Sequence, residues 1–291
     1  MDGFSKLMLG TVQFGMKYGV ANTSGKPSFD TVKAILKAAY DGGVTALDTA
    51  PEYGDSEEVI GRALGELGLA GRFRVVTKIP KLPAGCDPEK FIADSLKSSL
   101  AKLGVDRLAA ALFHAEEDVI CLDVLKSMVK RGYIEAAGVS LNTLAHRDDG
   151  ENADCLQVPA SLLDRRFDRC FGQGGRHVFV RGAYLQGMLL MPEAGVFVTE
   201  VKERRRELEK LGLPMAELAL RYLFAKPGPK SVLTGVETLA QLRENIRIAA
   251  LPPLGESDLA AVDAIAFPEL PELCVSPFFW KRYKQEHNIT N

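Results

Sequence analysis

Four residues able to move protons stand at or just past the ends of short apolar runs. Asp48 closes the run in ALDTAPEYG, Tyr53 follows on the same loop, Lys78 ends VVTK, and His114 directly follows ALF. Taken singly, each has an ordinary role: a turn former, a packing ring, a solvated strand terminus, a structural imidazole. Together they make a proton donor. A free tyrosine, with a pKa near 10, is a sluggish acid at neutral pH. A lysine about 4 Å away, at an effective dielectric of about 20, favours the phenolate by roughly 4 kcal/mol, enough to bring that pKa down by about three. Asp48 would hold Lys78 in place and charged. His114 would donate a hydrogen bond to the oxygen that Tyr53 protonates. That chemistry is the protonation of a carbonyl oxygen as it becomes an alcohol.

No side chain supplies the hydride, so a nicotinamide or flavin is implied. No GxGxxG follows an apolar run. FGQGG at Phe171–Gly175 has the wrong spacing and precedes a run, which excludes a dinucleotide-binding βαβ unit. The loops RGAYLQG (Arg181–Gly187) and TGVET (Thr234–Thr238) carry glycines suited to phosphates.

The elements that must position these residues follow from period. Eight apolar runs, Leu7–Gly10, Thr45–Asp48, Phe73–Lys78, Leu108–Phe113, Ala136–Val139, Cys155–Val158, Val178–Val180 and Ser231–Leu233, read as buried strands. Helical spacing fills the gaps, as in Phe29, Val32, Ile35, Leu36 and Ala39. Ser28 and Ser56 stand where N-caps belong, and Gly42, Gly68 and Gly104 where helices stop. Residues 143–154 are polar and predict an irregular fifth crossover. Two helices, near Thr199–Leu211 and Pro214–Ala225, precede the eighth strand, and one more is expected near Glu256–Ile265. The alternation favours an α/β fold, a (β/α)8 TIM barrel forming one domain over residues 1–291, with an extra C-terminal helix and tail. In such a barrel every strand delivers its last residue to one rim, and the phosphates of a cofactor would lie after strands seven and eight.

Composition narrows the partners. With 36 Lys plus Arg against 38 Asp plus Glu, the formal charge of −2 argues against nucleic acid or an anionic membrane. No window of 18 apolar residues and no signal peptide is apparent. The five cysteines are scattered, without a CxxC pair or a nearby histidine, so no metal site or disulfide framework is expected. A cytoplasmic location follows from these readings. Oligomeric state is not legible.

The motifs, in order, resemble the aldo-keto reductase superfamily: LGTVQFG from Leu9, the Asp48–Tyr53 stretch, Lys78, LFH, GVS at Gly138–Ser140, LQVPASLLDRR at Leu156–Arg166, LQG at Leu185–Gly187 and LREN at Leu242–Asn245. The resemblance implies an NADP(H)-dependent oxidoreductase, with NAD(H) also accepted, reducing a small carbonyl or sugar-derived substrate. It makes Tyr53 the general acid, assisted by Asp48, Lys78 and His114. It places Ser140 and Gln157 at the nicotinamide amide, and Gly10, Thr11 and Asp48 beside the cofactor. Arg181, Gly182, Leu185 and Gly187 would lie along the ring and pyrophosphate, and Gly235, Thr238, Gln241, Glu244 and Asn245 toward the adenosine.

The chain also departs from the family pattern. Leu141 intervenes before Asn142, Arg181 replaces a stacking aromatic ring, and Ser161 stands for an asparagine. The basic residues expected for a 2′-phosphate are missing around Glu237, which leaves the free amides of the following helix N-terminus, with Arg243 turned away from the Gln241–Asn245 face. A cofactor-binding regulatory subunit and a Lys78 Schiff-base lyase are the competing functions. Phe278, Phe279 and Trp280 form an apolar cluster after three prolines, too short and too interrupted to be another barrel helix; they either close the substrate pocket or plug the barrel exterior.

Overall fold

A computed structural model describes residues 3–228 and 230–289. Eight parallel strands close in chain order into a barrel: β1 (Leu7–Gly10), β2 (Ala46–Asp48), β3 (Arg74–Ile79), β4 (Ala110–Phe113), β5 (Ala137–Ser140), β6 (Cys155–Pro159), β7 (His177–Arg181) and β8 (Lys230–Gly235). All eight expected runs are strands, with ends shifted by at most two residues. The fold is the (β/α)8 barrel.

Side-chain alternation divides the core in two. Met8, Ala46, Val76, Ala110, Leu112, Cys155, Phe179 and Leu233 fill the barrel interior, while Leu7, Leu9, Leu47, Val75, Phe113 and Val178 face the helices. Because successive strand residues point to opposite faces, two steps along the chain from an interior residue is again interior. That rule carries Met8 to Gly10, Ala46 to Asp48, Val76 to Lys78, Cys155 to Gln157, Phe179 to Arg181 and Leu233 to Gly235. The uppermost interior layer is thus polar or glycine, directly above an apolar plug.

The helices Phe29–Asp41, Ser56–Glu66, Pro88–Leu103, Leu122–Lys130, Met215–Ala225 and Leu239–Ala250 pack outside. Ser28 caps the first, its hydroxyl accepting from the Thr31 amide at 3.2 Å. Gly104 ends the third in the left-handed region at φ 66°, which suits a residue without Cβ. Ser56 corrects its expectation. It is the first helical residue, not the cap, and its buried hydroxyl donates to Thr11 O at 2.9 Å, tying the β1 loop to the helix that follows Tyr53. The fifth crossover is irregular as expected, with only a short 3-10 turn at Leu144–His146.

The tail departs more. After the helix Glu256–Ala266 come a short helix Glu272–Val275, a 3-10 turn Pro277–Phe279 and a further helix Trp280–Glu286. Proline at the first position of the turn costs no hydrogen bond, so it starts the element rather than breaking it. Trp280 is 5% exposed, donates from Nε1 to Cys274 O at 2.9 Å and meets Phe197 edge-on. The Tyr283 hydroxyl accepts from Thr199 N at 3.0 Å and donates to Glu200 at 2.7 Å. Phe278, 72% exposed, takes no part. The three aromatics are therefore not one cluster; Tyr283 pins the tail to the helix Thr199–Glu209, and Trp280 packs on Phe197 just before it.

Trp280→Ala is expected to lower unfolding free energy by about 3–5 kcal/mol, and Phe278→Ala by no more than about 0.5 kcal/mol. Urea unfolding of the two variants checks this; equal midpoints would contradict the exterior packing of the tail.

Candidate active site

The β2 and β3 ends build the centre of the site. The Lys78 ammonium, 1% exposed, donates to both Asp48 oxygens at 2.8 and 2.9 Å and to Thr49 O at 2.9 Å. Burial alone drives an ammonium toward neutrality. Here the Asp48 carboxylate and the Tyr53 hydroxyl outweigh it, and the Lys78 pKa ends above its ordinary value. A lysine so held is a poor nucleophile, which counts against Schiff-base chemistry.

Tyr53 lies over this pair, its ring centroid 4.9 Å from the Lys78 nitrogen. Its pKa moves opposite to the expected direction. Burial is the largest influence and raises it; the Lys78 charge pulls down, Asp48 pushes up, and the hydroxyl ends above its ordinary value. The expected depression considered the lysine alone and left out burial, the largest influence, to which Asp48 adds a smaller upward push. Tyr53 therefore keeps its proton at neutral pH, as a donor must.

The carboxylate of Asp48 also organises β5 and β6. Gln157 Nε2 donates to Asp48 Oδ1 at 2.6 Å, and Ser140 Oγ donates to Gln157 Oε1 at 3.2 Å. Lys78, Asp48 and the two residues expected at the nicotinamide amide, Gln157 and Ser140, form one hydrogen-bonded chain. His114, at the β4 end, meets the Tyr53 ring edge-on at 5.9 Å. Its Nδ1 contacts Glu52, a residue not singled out in the sequence, where nothing but its place beside Tyr53 points to it. Burial and the Lys78 charge hold the His114 pKa below its ordinary value against the opposing pull of Glu52.

Arg181, at the β7 end, donates to Leu141 O at 2.8 Å and to Asn142 Oδ1. The residue after Leu141 is thereby fixed to the barrel mouth by a cation. Glu116 accepts from the Asn142 and Thr143 amides and from the Thr143 hydroxyl, holding the same loop from the other side. Ser161 caps its own loop, accepting from the amides of Leu163 and Asp164 at 3.2 and 2.9 Å.

On the opposite side glycines line the rim, with the Gln13 side chain packed over Gly235. Gly10 and Gly235 are register partners, and a Cβ on Gly235 would meet the Gln13 side chain at 2.4 Å. Gln13 Oε1 and Thr234 Oγ1 are buried without hydrogen-bond partners among the described residues. Thr11 is buried, its hydroxyl donating to Asp48 O at 2.8 Å. The β7 loop turns sharply through Gly182, Leu185, Gln186 and Gly187, all at positive φ, and meets the β1 loop where Val20 N donates to Gln186 O at 3.2 Å. The orphaned polar atoms, the glycines along the rim and the amide chain suit an elongated polar ligand with a carboxamide at one end. The residues fit a nicotinamide dinucleotide.

The far end narrows one expectation. The amides before the helix Leu239–Ala250 are not free: Gln241 Oε1 accepts from Glu237 N at 2.7 Å and from Thr238 N at 3.1 Å, while Thr238 Oγ1 accepts from Gln241 N at 3.2 Å. Glu244 pairs with Arg247 at 2.8 Å, and Asn245, buried, accepts from the Tyr184 hydroxyl at 2.9 Å. Thr238, Gln241, Glu244 and Asn245 share one helix end, already occupied by internal partners.

Comparisons with known proteins agree with this geometry. The family model described as "Aldo/keto reductase family" matches residues 6–170 and 186–266. The uncharacterized oxidoreductase YqkF of Bacillus subtilis (strain 168) is 28% identical over 263 residues, covering 79% of this chain and 86% of that protein. L-galactose dehydrogenase of Arabidopsis thaliana is 24% identical over 305 residues, covering 91% and 93%. The holo form of the aldo-keto reductase AKR11C1 from Bacillus halodurans superposes with a TM-score of 0.75 at 22% identity, covering 92% of this chain and 94% of that one, which speaks for the fold. No described helix is long and apolar enough to cross a membrane. Barrel, polar rim and family match converge: the chain belongs to the aldo/keto reductase family of oxidoreductases.

Proposed function

We propose that this protein interconverts a small aldehyde or ketone and its alcohol, with a nicotinamide dinucleotide as redox partner. The observation that carries this reading is the buried Lys78–Asp48 pair under the Tyr53 ring. When bound, the dinucleotide supplies or accepts the hydride. Ser140 and Gln157 would hold its carboxamide, Arg181 would lie against its ring, and Gly10, Thr11, Gly182, Leu185, Gly187 and Gly235 would line its length. In reduction, Tyr53 gives its proton to the carbonyl oxygen, and the Lys78 charge stabilises the phenolate left behind. Asp48 keeps Lys78 charged and immobile through both states. The L-galactose dehydrogenase relative makes a sugar-derived compound a natural first substrate to test.

Tyr53→Phe is expected to lower kcat for carbonyl reduction by about 10²–10⁴-fold, with cofactor affinity changed only a few-fold. Stopped-flow absorbance of the reduced nicotinamide on any active substrate measures it, and a near-normal kcat in the variant would remove Tyr53 from its role.

The cofactor's adenosine end gives a second expectation. Glu237 sits near Gln13, with Nε2 to Oε1 at 3.5 Å. The Thr238–Gln241 capping box takes up the Glu237, Thr238 and Gln241 amides, so a 2′-phosphate would meet a carboxylate and fewer open donors. NADPH should be preferred over NADH by less than about a thousandfold in kcat/KM, the equivalent of some 4 kcal/mol. A larger preference would mean that a cation reaches the phosphate.

A further inference from the structure

His114 and Glu52 come from different strand ends, β4 and the loop after β2, and meet at the mouth of the site. The contact is between Glu52 Oε2 and His114 Nδ1. An ionised carboxylate can only accept, so Nδ1 carries a hydrogen. A neutral imidazole has a single N–H. Nε2, which bonds to none of the described residues, is then a bare lone pair. A carbonyl oxygen is also only an acceptor. A neutral His114 in this tautomer cannot donate to one, contrary to the simplest role for an imidazole beside Tyr53.

We propose that Glu52 is a positioning residue that fixes the Nδ1–H tautomer of His114 and keeps its doubly protonated form accessible, so that Nε2–H orients a carbonyl substrate only when the ring is charged. The inference rests on the carbonyl-reducing reading of the site. Hydride still goes to carbon and the Tyr53 proton to oxygen, and the proton count of His114 does not change in that step. Its charge state instead decides how well the carbonyl is held beforehand.

The groups facing the ring act in opposite directions. Lys78, on β3, disfavours the charged ring by its own charge, and burial does the same. Glu52 favours the charged ring by charge and hydrogen bond, and Asp48, on β2, adds a smaller pull in that direction. Tyr53 stands edge-on to the ring. Glu116, two residues beyond His114, is turned to Asn142 and Thr143. Glu52 is thus the group that both touches the ring and opposes Lys78. It is half exposed, so its influence is moderated by solvent.

The test compares the wild-type protein with Glu52→Gln. For carbonyl reduction, log kcat/KM of the wild type should fall with pH above the His114 ionisation, with the change carried by KM rather than kcat. In Glu52→Gln that limb should move to lower pH by about one unit. If the new amide instead donates to Nδ1, a neutral ring regains Nε2–H and the limb should vanish. Superimposable profiles would overturn the proposal. A second readout needs neither substrate nor cofactor: ¹⁵N chemical shifts of the His114 ring, assigned by loss of its signals in His114→Asn. The wild type should show the Nδ1–H tautomer, and Glu52→Gln either a lower ionisation by about one unit or the opposite tautomer. An Nε2–H tautomer in the wild type, or an ionisation indifferent to Glu52, would overturn it. If no carbonyl compound is reduced with either cofactor, the functional reading fails, while the nitrogen shifts still decide the Glu52–His114 link.

Discussion

The ion pair between Asp48 and Lys78 is the constraint around which the active rim is organised. Two charges removed from water are tolerated only when each finds partners for its remaining donors and acceptors. Lys78 spends its protons on Asp48 and Thr49 O, and Asp48 accepts in addition from Gln157. The pair therefore fixes β2, β3 and β6 relative to one another at the top of the barrel. Tyr53 inherits its position and its electrostatics from that arrangement. A lone lysine would pull a tyrosine toward ionisation. Burial keeps the hydroxyl protonated against that pull, with Asp48 adding to it, while the lysine remains beside it to stabilise negative charge when the proton departs.

Around that centre, the loops are cross-linked rather than free. Arg181 and Glu116 hold the segment after β5, and Arg166 reaches both Asn142 O and Glu272, which itself accepts from Leu144 N. The tail thus touches the rim through one carboxylate, while its aromatic anchors lie on the barrel exterior. Across the mouth, the β1 and β7 loops meet through Gln186, whose side chain donates to the Tyr18 hydroxyl at 2.9 Å. Leu185 and Gln186 adopt left-handed backbone there, at φ 48° and 53°, a conformation costing such residues about 1–3 kcal/mol each. That strain persists where surrounding contacts over-determine the turn.

Much of this was legible because strand alternation is a rigid rule. Once ALD, VVTK and LQV are read as buried strands, Asp48, Lys78 and Gln157 must lie on one face. The four proton-handling residues follow from type and place. What escaped depends on contacts between loops, for which a single sequence carries no period. Glu52 acquires meaning only when the β2 loop folds against the β4 end. Ser56 looks like a cap until Thr11 O is found within its reach. Gln241 looks like a ligand until its side chain is seen turning back onto Glu237 N. The tail's exterior packing rests on Trp280 and Tyr283, three apart on one buried face of a short helix, a pairing that the prolines before it obscure.

The most direct test of the central claim is the ionisation of the Tyr53 hydroxyl, followed by ¹³Cζ-tyrosine NMR across alkaline pH in the cofactor-free protein. The wild-type hydroxyl should titrate above the ordinary tyrosine value near 10. In the double variant Asp48→Asn/Lys78→Met, which removes both charges without leaving either buried alone, it should titrate higher still, because the lysine's downward pull exceeds the aspartate's upward one. A Tyr53 ionisation that is unchanged or lower in the double variant would show that the buried pair does not govern the proton donor, and the account of the site built on it would be wrong.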